Sequence, residues 1–153
     1  MGLKIACQMH ERTLCFEVLG GLSDHLDSVA RYVRGKAAHR DGVMVDIRGA
    51  TRRPGADKLF IHVLKYPGIC SCKIALVDFE ENWVFCSLFE HLLRRRGYQI
   101  CSFANVDTAR QWLSTDLMPA RPKHRMFLVR QILAAIKERL KPMRFSHATT
   151  TSH

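Results

Sequence analysis

GVMVDIRGATRRPGADKL, residues 42–59, joins an apolar segment to a basic loop and then to a helical pattern. The near-continuous apolar start predicts a strand over 42–49 that is buried on both faces, as strands of parallel sheets are. Pro54 suits the first position of a helix, and apolar residues then recur at helical spacing at Leu59, Phe60, Val63 and Leu64. The stretch therefore predicts a strand, a loop and a helix, the unit from which α/β folds are built.

The segments on either side continue this alternation. Apolar runs at 3–10 and 13–20 flank a polar Glu-Arg pair and predict a hairpin. Further strands are predicted at 73–79 (KIALVDF) and in YQICSFA, with amphipathic helices between and after them. We therefore expect an α/β fold with a mostly parallel five-stranded sheet. An antiparallel N-terminal hairpin forms its edge, helices cover both faces, and a basic amphipathic helix is added at the C-terminus.

The length of 153 residues is that of a single domain with its own core. We predict an α/β domain over 1–116, a basic helical extension packed on it over 117–145, and a disordered tail over 146–153. No apolar run approaches the roughly 20 residues that span a bilayer, and no leader pattern is visible at the start. These observations favour a cytoplasmic protein.

The net charge of +10 is concentrated near the C-terminus, where residues 117–153 carry eight Lys or Arg and one acid. Such asymmetry indicates a polyanionic or acidic partner. The candidate contact residues are Arg121, Lys123, Arg125, Arg130, Lys137 and Lys141. Nucleic acid, an anionic membrane and another protein all fit this charge, as does a helix that docks on its own domain or on a second copy in a homodimer.

A second candidate site lies in the basic loop after the strand at 42–49. Ligands of open α/β sheets gather beyond the carboxyl ends of the strands, beside helix N-termini that favour anions. The residues that this placement indicates are Arg48, Thr51, Arg52 and Arg53. The alternative is a solvated loop, because neither a Walker pattern nor a G-x-G-x-x-G pattern accompanies these residues.

Acidic residues are predicted at the same edge of the sheet. Asp46 lies near the end of one strand, and Asp78, Glu80 and Glu81 follow the next parallel strand. Carboxylates beside a basic loop could transfer protons or hold a metal. Helix capping and pairing with arginine explain them equally well. We therefore predict no catalytic residue and no enzymatic activity.

The six cysteines lie in apolar segments, where a cysteine acts as a small hydrophobic residue, and we expect reduced thiols. Cys70 and Cys72 form a C-x-C pair, which is half of a zinc motif. A structural zinc site requires four ligands, and no second pair is visible in the sequence. We therefore predict neither a metal nor a cofactor.

Three segments, VMVDIRGAT (43–51), KIALVDF (73–79) and LFEHLLRRRGYQICSFANVDTARQWL (88–113), resemble the SpoIIAA-like branch of the STAS superfamily. These small bacterial α/β domains often end in a strand with phenylalanine, a short acidic stretch and a helix with alanine and Trp-Leu. The matching residues here are Phe103, Asp107, Ala109, Trp112 and Leu113. The likeness covers residues 3–113, mostly at core positions, so it implies the fold more strongly than the function.

The best-known STAS members are anti-sigma factor antagonists that are switched by phosphorylation of a serine at the start of the helix after the third strand. Gly55 and Ala56 occupy that region here, and Thr51 comes too early. The resemblance therefore implies a non-enzymatic regulatory or protein-interaction domain that lacks the phosphorylatable serine. SpoIIAA-like domains also resemble lipid-binding Sec14-type domains, which leaves a small anionic or lipid ligand at the carboxyl edge of the strands as an alternative.

Overall fold

The computed structural model describes residues 2–66, 70–115 and 121–145. The chain forms two compact units, residues 1–120 and residues 121–153. Within the described residues, the first unit contains the sheet and four α-helices, and the second contains one long helix. We describe the two units separately below.

The strands of the first unit form a mostly parallel sheet. They are β1 (Lys4–His10), β2 (Thr13–Gly21), β3 (Gly42–Asp46), β4 (Ala50–Thr51), β5 (Cys70–Val77) and β6 (Tyr98–Phe103). The strand order is β1-β2-β3-β5-β6; β1 and β2 pair antiparallel, and the other neighbours pair parallel. This confirms the predicted α/β class, the five-stranded path and the antiparallel hairpin edge. The two-residue strand β4, which pairs with the end of β2, was not predicted.

The helices of the first unit are α1 (Leu26–Ala37), α2 (Ala56–Leu64), α3 (Trp83–Arg95) and α4 (Val106–Leu113). A 3₁₀ turn, Glu80–Asn82, leads into α3. Strands β2, β3, β5 and β6 lie side by side in the order in which they occur in the chain. Because the connections between parallel strands are right-handed, the connecting helices α1, α2 and α3 lie on the same face of the sheet. Helix α4 packs against the other face, which confirms that both faces are covered.

The alternation of strand side chains separates two cores. Met44, Ala75, Val77 and Cys101 pack with Ala109 and Trp112 of α4 on one face. Their sequence neighbours point to the face of α1 and α3, where Val45, Ile74, Leu76 and Ile100 lie. The strands are therefore buried on both faces, and this is why their sequences read as continuous apolar runs.

The predicted strand over 42–49 is shorter than expected, because β3 ends at Asp46. The Asp46 carboxylate accepts a hydrogen bond from the Arg48 backbone N–H at 3.0 Å, which turns the chain. The chain then returns to β2 as β4. Gly49 leaves room for the Leu19 side chain, since a Cβ at this position would lie 2.2 Å from Leu19 Cδ2 and would displace it.

The second unit consists of α5 (Lys123–Phe145), which matches the predicted C-terminal amphipathic helix. That the extension over 117–145 packs on the α/β domain stays a prediction. The predicted tail over 146–153 lies outside the described residues.

Candidate functional site

The carboxyl edge of the sheet brings together the ends of β3 and β5, as the sequence predicts, and the short strand β4 pairs with the end of β2. Asp46 and Arg48 form an ion pair across the turn after β3. The Arg48 Nε and Nη2 atoms lie 3.0 and 2.7 Å from Asp46 Oδ1 and Oδ2. These hydrogen bonds raise the pKa of the Arg48 guanidinium. The charges of Asp46 and Arg48 therefore neutralise each other.

Asp78 and Arg53 form a second, deeper ion pair at the same edge. Both Arg53 Nε and Nη2 donate to the Asp78 carboxylate at 2.6 Å, a two-pronged geometry that suits arginine and carboxylate. The Asp78 side chain is 0% exposed and that of Arg53 is 16% exposed. Arg53 also donates to the carbonyl oxygens of Ile47 and Ala50. The pair therefore fastens the basic loop to the end of β5.

The remaining lone pairs of Asp78 are also used. Its Oδ1 accepts from the Phe79 backbone N–H at 2.8 Å and from Asn82 Nδ2 at 3.1 Å. The Cys86 thiol donates to Oδ2 at 3.7 Å. Burial, together with the charge of Asp78, raises the pKa of that thiol, which stays protonated. A carboxylate that accepts so many hydrogen bonds is suited to anchoring a loop.

The two other residues of the predicted anion site contribute backbone groups to the fold. Thr51 and Arg52 accept hydrogen bonds at their carbonyl oxygens from Leu22 and Ser23, at 2.8 and 2.7 Å. Arg52 has a φ of 50°, a left-handed conformation, and its side chain is exposed. The structure thus brings the four predicted residues together, with Arg48 and Arg53 bound to carboxylates. That they bind an anion stays a prediction.

Apolar side chains point into solvent beside these ion pairs. Phe79, the residue after Asp78, is 49% exposed, and Val84 in the first turn of α3 is 41% exposed. Glu80 and Glu81 are also exposed and lie in the 3₁₀ turn between them. We define the carboxyl-edge surface as Arg48, Arg52, Phe79 and Val84. The exposed Phe79 was missed because the pattern of KIALVDF predicts burial for its last residue.

The cysteines show no metal arrangement in the part of the chain that the structure describes. Cys7, Cys15, Cys72, Cys86 and Cys101 are thiols that form no disulfide. The side chain of Cys70, the first member of the C-x-C pair, lies outside the described residues. Over residues 2–66, 70–115 and 121–145, no three His, Cys, Asp or Glu side chains are grouped as metal ligands.

The candidate basic residues of the second unit lie at or just before α5. Arg121 precedes the helix, and Lys123, Arg125, Arg130, Lys137 and Lys141 are on it. Lys123, Arg130, Lys137 and Lys141 are exposed and fall within about 40° on a helical wheel. Phe127 is 60% exposed and lies about 40° from Lys123, at the border of this stripe. The sequence reasoning missed this aromatic residue, although the same wheel places it there.

No helix within the described residues has the length and apolarity needed to cross a membrane. No family model and no curated protein matches the chain. The chain is similar to a solved structure, an uncharacterised protein of the DUF3478 family with a SpoIIAA-like fold from Shewanella loihica PV-4. The two chains are 16% identical, and the match covers 73% of this chain and 94% of the other with a TM-score of 0.47. The strand order and register, rather than this match, establish the α/β fold.

Proposed function

We propose that this chain is a non-enzymatic regulatory domain of the cytoplasm that binds another protein through the carboxyl-edge surface. The observation that carries the proposal is the contrast at that edge. The buried charges are neutralised by internal ion pairs, while the apolar side chains of Phe79 and Val84 are left in solvent.

The carboxylates of Asp46 and Asp78 already accept hydrogen bonds within the fold, which supports a non-enzymatic role. A general acid or base must be able to reach a substrate and exchange a proton with it. Asp78 is fully buried and receives hydrogen bonds from Arg53, Phe79, Asn82 and Cys86. Asp46 accepts hydrogen bonds from the Arg48 side chain and from the Arg48 backbone N–H in the turn after β3. Turnover of a small molecule that is lost on Asp46→Asn or Asp78→Asn would contradict this part of the proposal.

The composition of the surface indicates the kind of partner. Exposed aromatic and arginine side chains are enriched in protein interfaces. Arg52 is exposed, and the chain as a whole is strongly basic. We therefore expect a partner that presents an apolar side chain to Phe79 and Val84 and an acidic group to Arg52.

A photo-crosslinking amino acid placed at Phe79 in the source cells tests this function. We expect one dominant adduct, and we expect Arg52→Glu in the same chain to abolish it. The matched control is the same crosslinker at Tyr32, which is also exposed but lies on α1. Equal adducts from both positions, or an adduct that is insensitive to Arg52→Glu, would contradict the proposed interface.

Phe127 favours a second candidate function, binding of α5 to an anionic membrane surface. Helices that lie on membranes combine a basic face with aromatic or aliphatic residues that enter the headgroup region. Each lysine or arginine near an anionic leaflet contributes about 1 kcal/mol. The stripe of Lys123, Arg130, Lys137 and Lys141 with the exposed Phe127 provides both elements.

Co-sedimentation of the full chain with phosphatidylserine-containing vesicles tests this second candidate. Phe127→Ser is expected to weaken binding about tenfold, because it removes one apolar side chain from the lipid. Leu128→Ser is the matched control, since Leu128 is 39% exposed but lies about 140° from Lys123 on the wheel. Binding should also fall steeply with added salt. Equal effects of the two substitutions would contradict membrane insertion of Phe127.

A further inference from the structure

The two edge strands of the sheet differ in how their outward backbone groups are used. Among the described strands, β1 and β6 each pair with a neighbour on one side only. At β6, side chains of α3 bind two of these groups. Arg94 Nε donates to the Ile100 carbonyl oxygen at 2.8 Å, and the Ser102 backbone N–H donates to Glu90 Oε2 at 3.0 Å. Covering an edge in this way protects a sheet from pairing with another strand.

The backbone groups of β1 can be assigned a direction from its hairpin with β2. The hairpin closes with His10 opposite Thr13 across a two-residue turn. In such a hairpin the closing residues exchange both of their hydrogen bonds, and hydrogen-bonded pairs alternate along the strand from there. Ile5, Cys7 and Met9 therefore direct their N–H and C=O groups away from β2. No proline interrupts the seven residues of β1, so this edge can accept a further strand.

The side chains of the same three residues form an apolar row that ends at the edge. Their partners on β2 are buried core residues, namely Val18, Phe16 and Leu14. Residues that lie opposite each other in a ladder share a face of the sheet, so the row continues this part of the core outward. Ile5 and Cys7 are half-buried, and Met9 is 48% exposed. Apolar surface is thus left open beside the outward backbone groups.

We propose that β1 pairs antiparallel with β1 of a second copy of this chain, about a two-fold axis that passes at Cys7. In this register Cys7 lies opposite Cys7 of the second copy, and Ile5 lies opposite Met9 of the second copy. Each of these pairs exchanges both backbone hydrogen bonds, and the two apolar rows join into one. A second copy fits this edge because the row is self-complementary. The small Cys7 is central, and the larger Ile5 and Met9 lie at equal distances on either side of it.

The size of the contact sets its strength. One strand from each copy, with one row of apolar side chains, buries less than the roughly 1,600 Å² of a standard stable interface. The dimer therefore exchanges with the monomer, and we expect a dissociation constant of about 10 µM to 1 mM. The surface is also separate from the carboxyl-edge surface, so the two interactions can be tested independently.

Sedimentation velocity of the full chain in reducing buffer, over concentrations up to about 1 mM, tests the proposal. Cys7→Pro removes one outward N–H, and edge strands accept proline where the N–H faces solvent. We expect this variant to raise the dissociation constant at least about tenfold and to keep its melting temperature. Gln8→Pro is the matched control, because the Gln8 N–H is directed toward β2. We expect Gln8→Pro to lower the melting temperature.

A pair of charge variants tests the register and does not depend on proline. Cys7→Lys and Cys7→Glu each place two like charges opposite each other at the axis, which disfavours pairing. We expect each variant alone to be monomeric, and an equal mixture of the two to associate at least about tenfold more tightly than either alone. A monomeric unmodified chain at every concentration would overturn the proposal. Dimers that persist in Cys7→Pro, which would use another surface such as α5, or a mixture that does not associate would overturn it too.

Discussion

Replacement of Asp78 by alanine is expected to destabilise the α/β domain by about 3–5 kcal/mol. The substitution leaves the Arg53 guanidinium largely buried with only two carbonyl oxygens as partners. It also removes the acceptor for the Phe79 backbone N–H and for Asn82. An uncompensated buried charge is among the few causes of such large losses. Urea denaturation, with the midpoint and the slope compared between the variants, measures the effect.

The chain contains a matched control for this experiment. Asp46 and Arg48 form the same kind of pair at the same edge, but their side chains are 20% and 37% exposed. Exposed pairs contribute at most about 1 kcal/mol, so Asp46→Ala is expected to cost about that or less, including the loss of its turn hydrogen bond. The comparison contrasts a buried pair that accepts further hydrogen bonds with an exposed one, since both pairs join one aspartate to one arginine.

A double variant distinguishes the pair from the individual residues. Arg53→Met combined with Asp78→Leu removes both charges and keeps apolar volume in the same place. We expect it to be more stable than Asp78→Ala, because no unpaired charge remains. The single variants Arg53→Met and Asp78→Leu are measured as well. If the loss of unfolding free energy in the double variant equals the sum of the two single losses, Arg53 and Asp78 are not coupled. A loss below about 1 kcal/mol for Asp78→Ala would also contradict coupling between them.

The fold was largely predictable because its strands are buried on both faces. Near-continuous apolar runs such as 73–79 mark strands of a parallel sheet, and the alternation with helices defines the class. The end of α3 was predictable too, since Gly97 has a φ of 92°, which glycine adopts readily. The end of β3 at Asp46 was missed. The Asp46 side chain accepts a hydrogen bond from the Arg48 backbone N–H, which would otherwise be available for strand pairing.

The position of the candidate site was predictable, and pairing of its aspartates with arginine was one of the alternatives, as Asp46 and Arg48 show, but the pair of Arg53 and Asp78 was not predicted. The sequence places Arg53 and Asp78 at one edge of the sheet, yet they are 25 residues apart and their contact depends on the path of the loop. Glu90 illustrates the same limit. It looks like a surface acid of α3, but it is buried and accepts hydrogen bonds from the backbone and hydroxyl of Ser102 on β6. Such partners are fixed by tertiary packing.

Replacement of Trp112 by alanine is the second large effect, with an expected loss of about 3–5 kcal/mol. Trp112 is the main side chain by which α4 covers its face of the sheet, where it packs with Met44, Ala75 and Val77. Its ring centroid lies 5.7 Å from that of Phe103 and 5.3 Å from Lys73 Nζ. The alanine variant removes these contacts and leaves a cavity that the rigid sheet cannot fill.

Trp112→Phe is the informative companion, because the indole Nε1 has no hydrogen-bond partner in the described part of the chain. The smaller ring keeps most of the apolar contact and removes a buried, unsatisfied N–H, so we expect a loss well below that of alanine. Gln111→Ala, an exposed neighbour on α4, should change stability by about 0.5 kcal/mol or less. Equal losses for Trp112→Phe and Trp112→Ala in urea denaturation would contradict the view that Trp112 stabilises α4 by apolar contact with the sheet. That contact is expected because the strands are apolar on both faces, and the face with Met44, Ala75 and Val77 is buried only when α4 covers it.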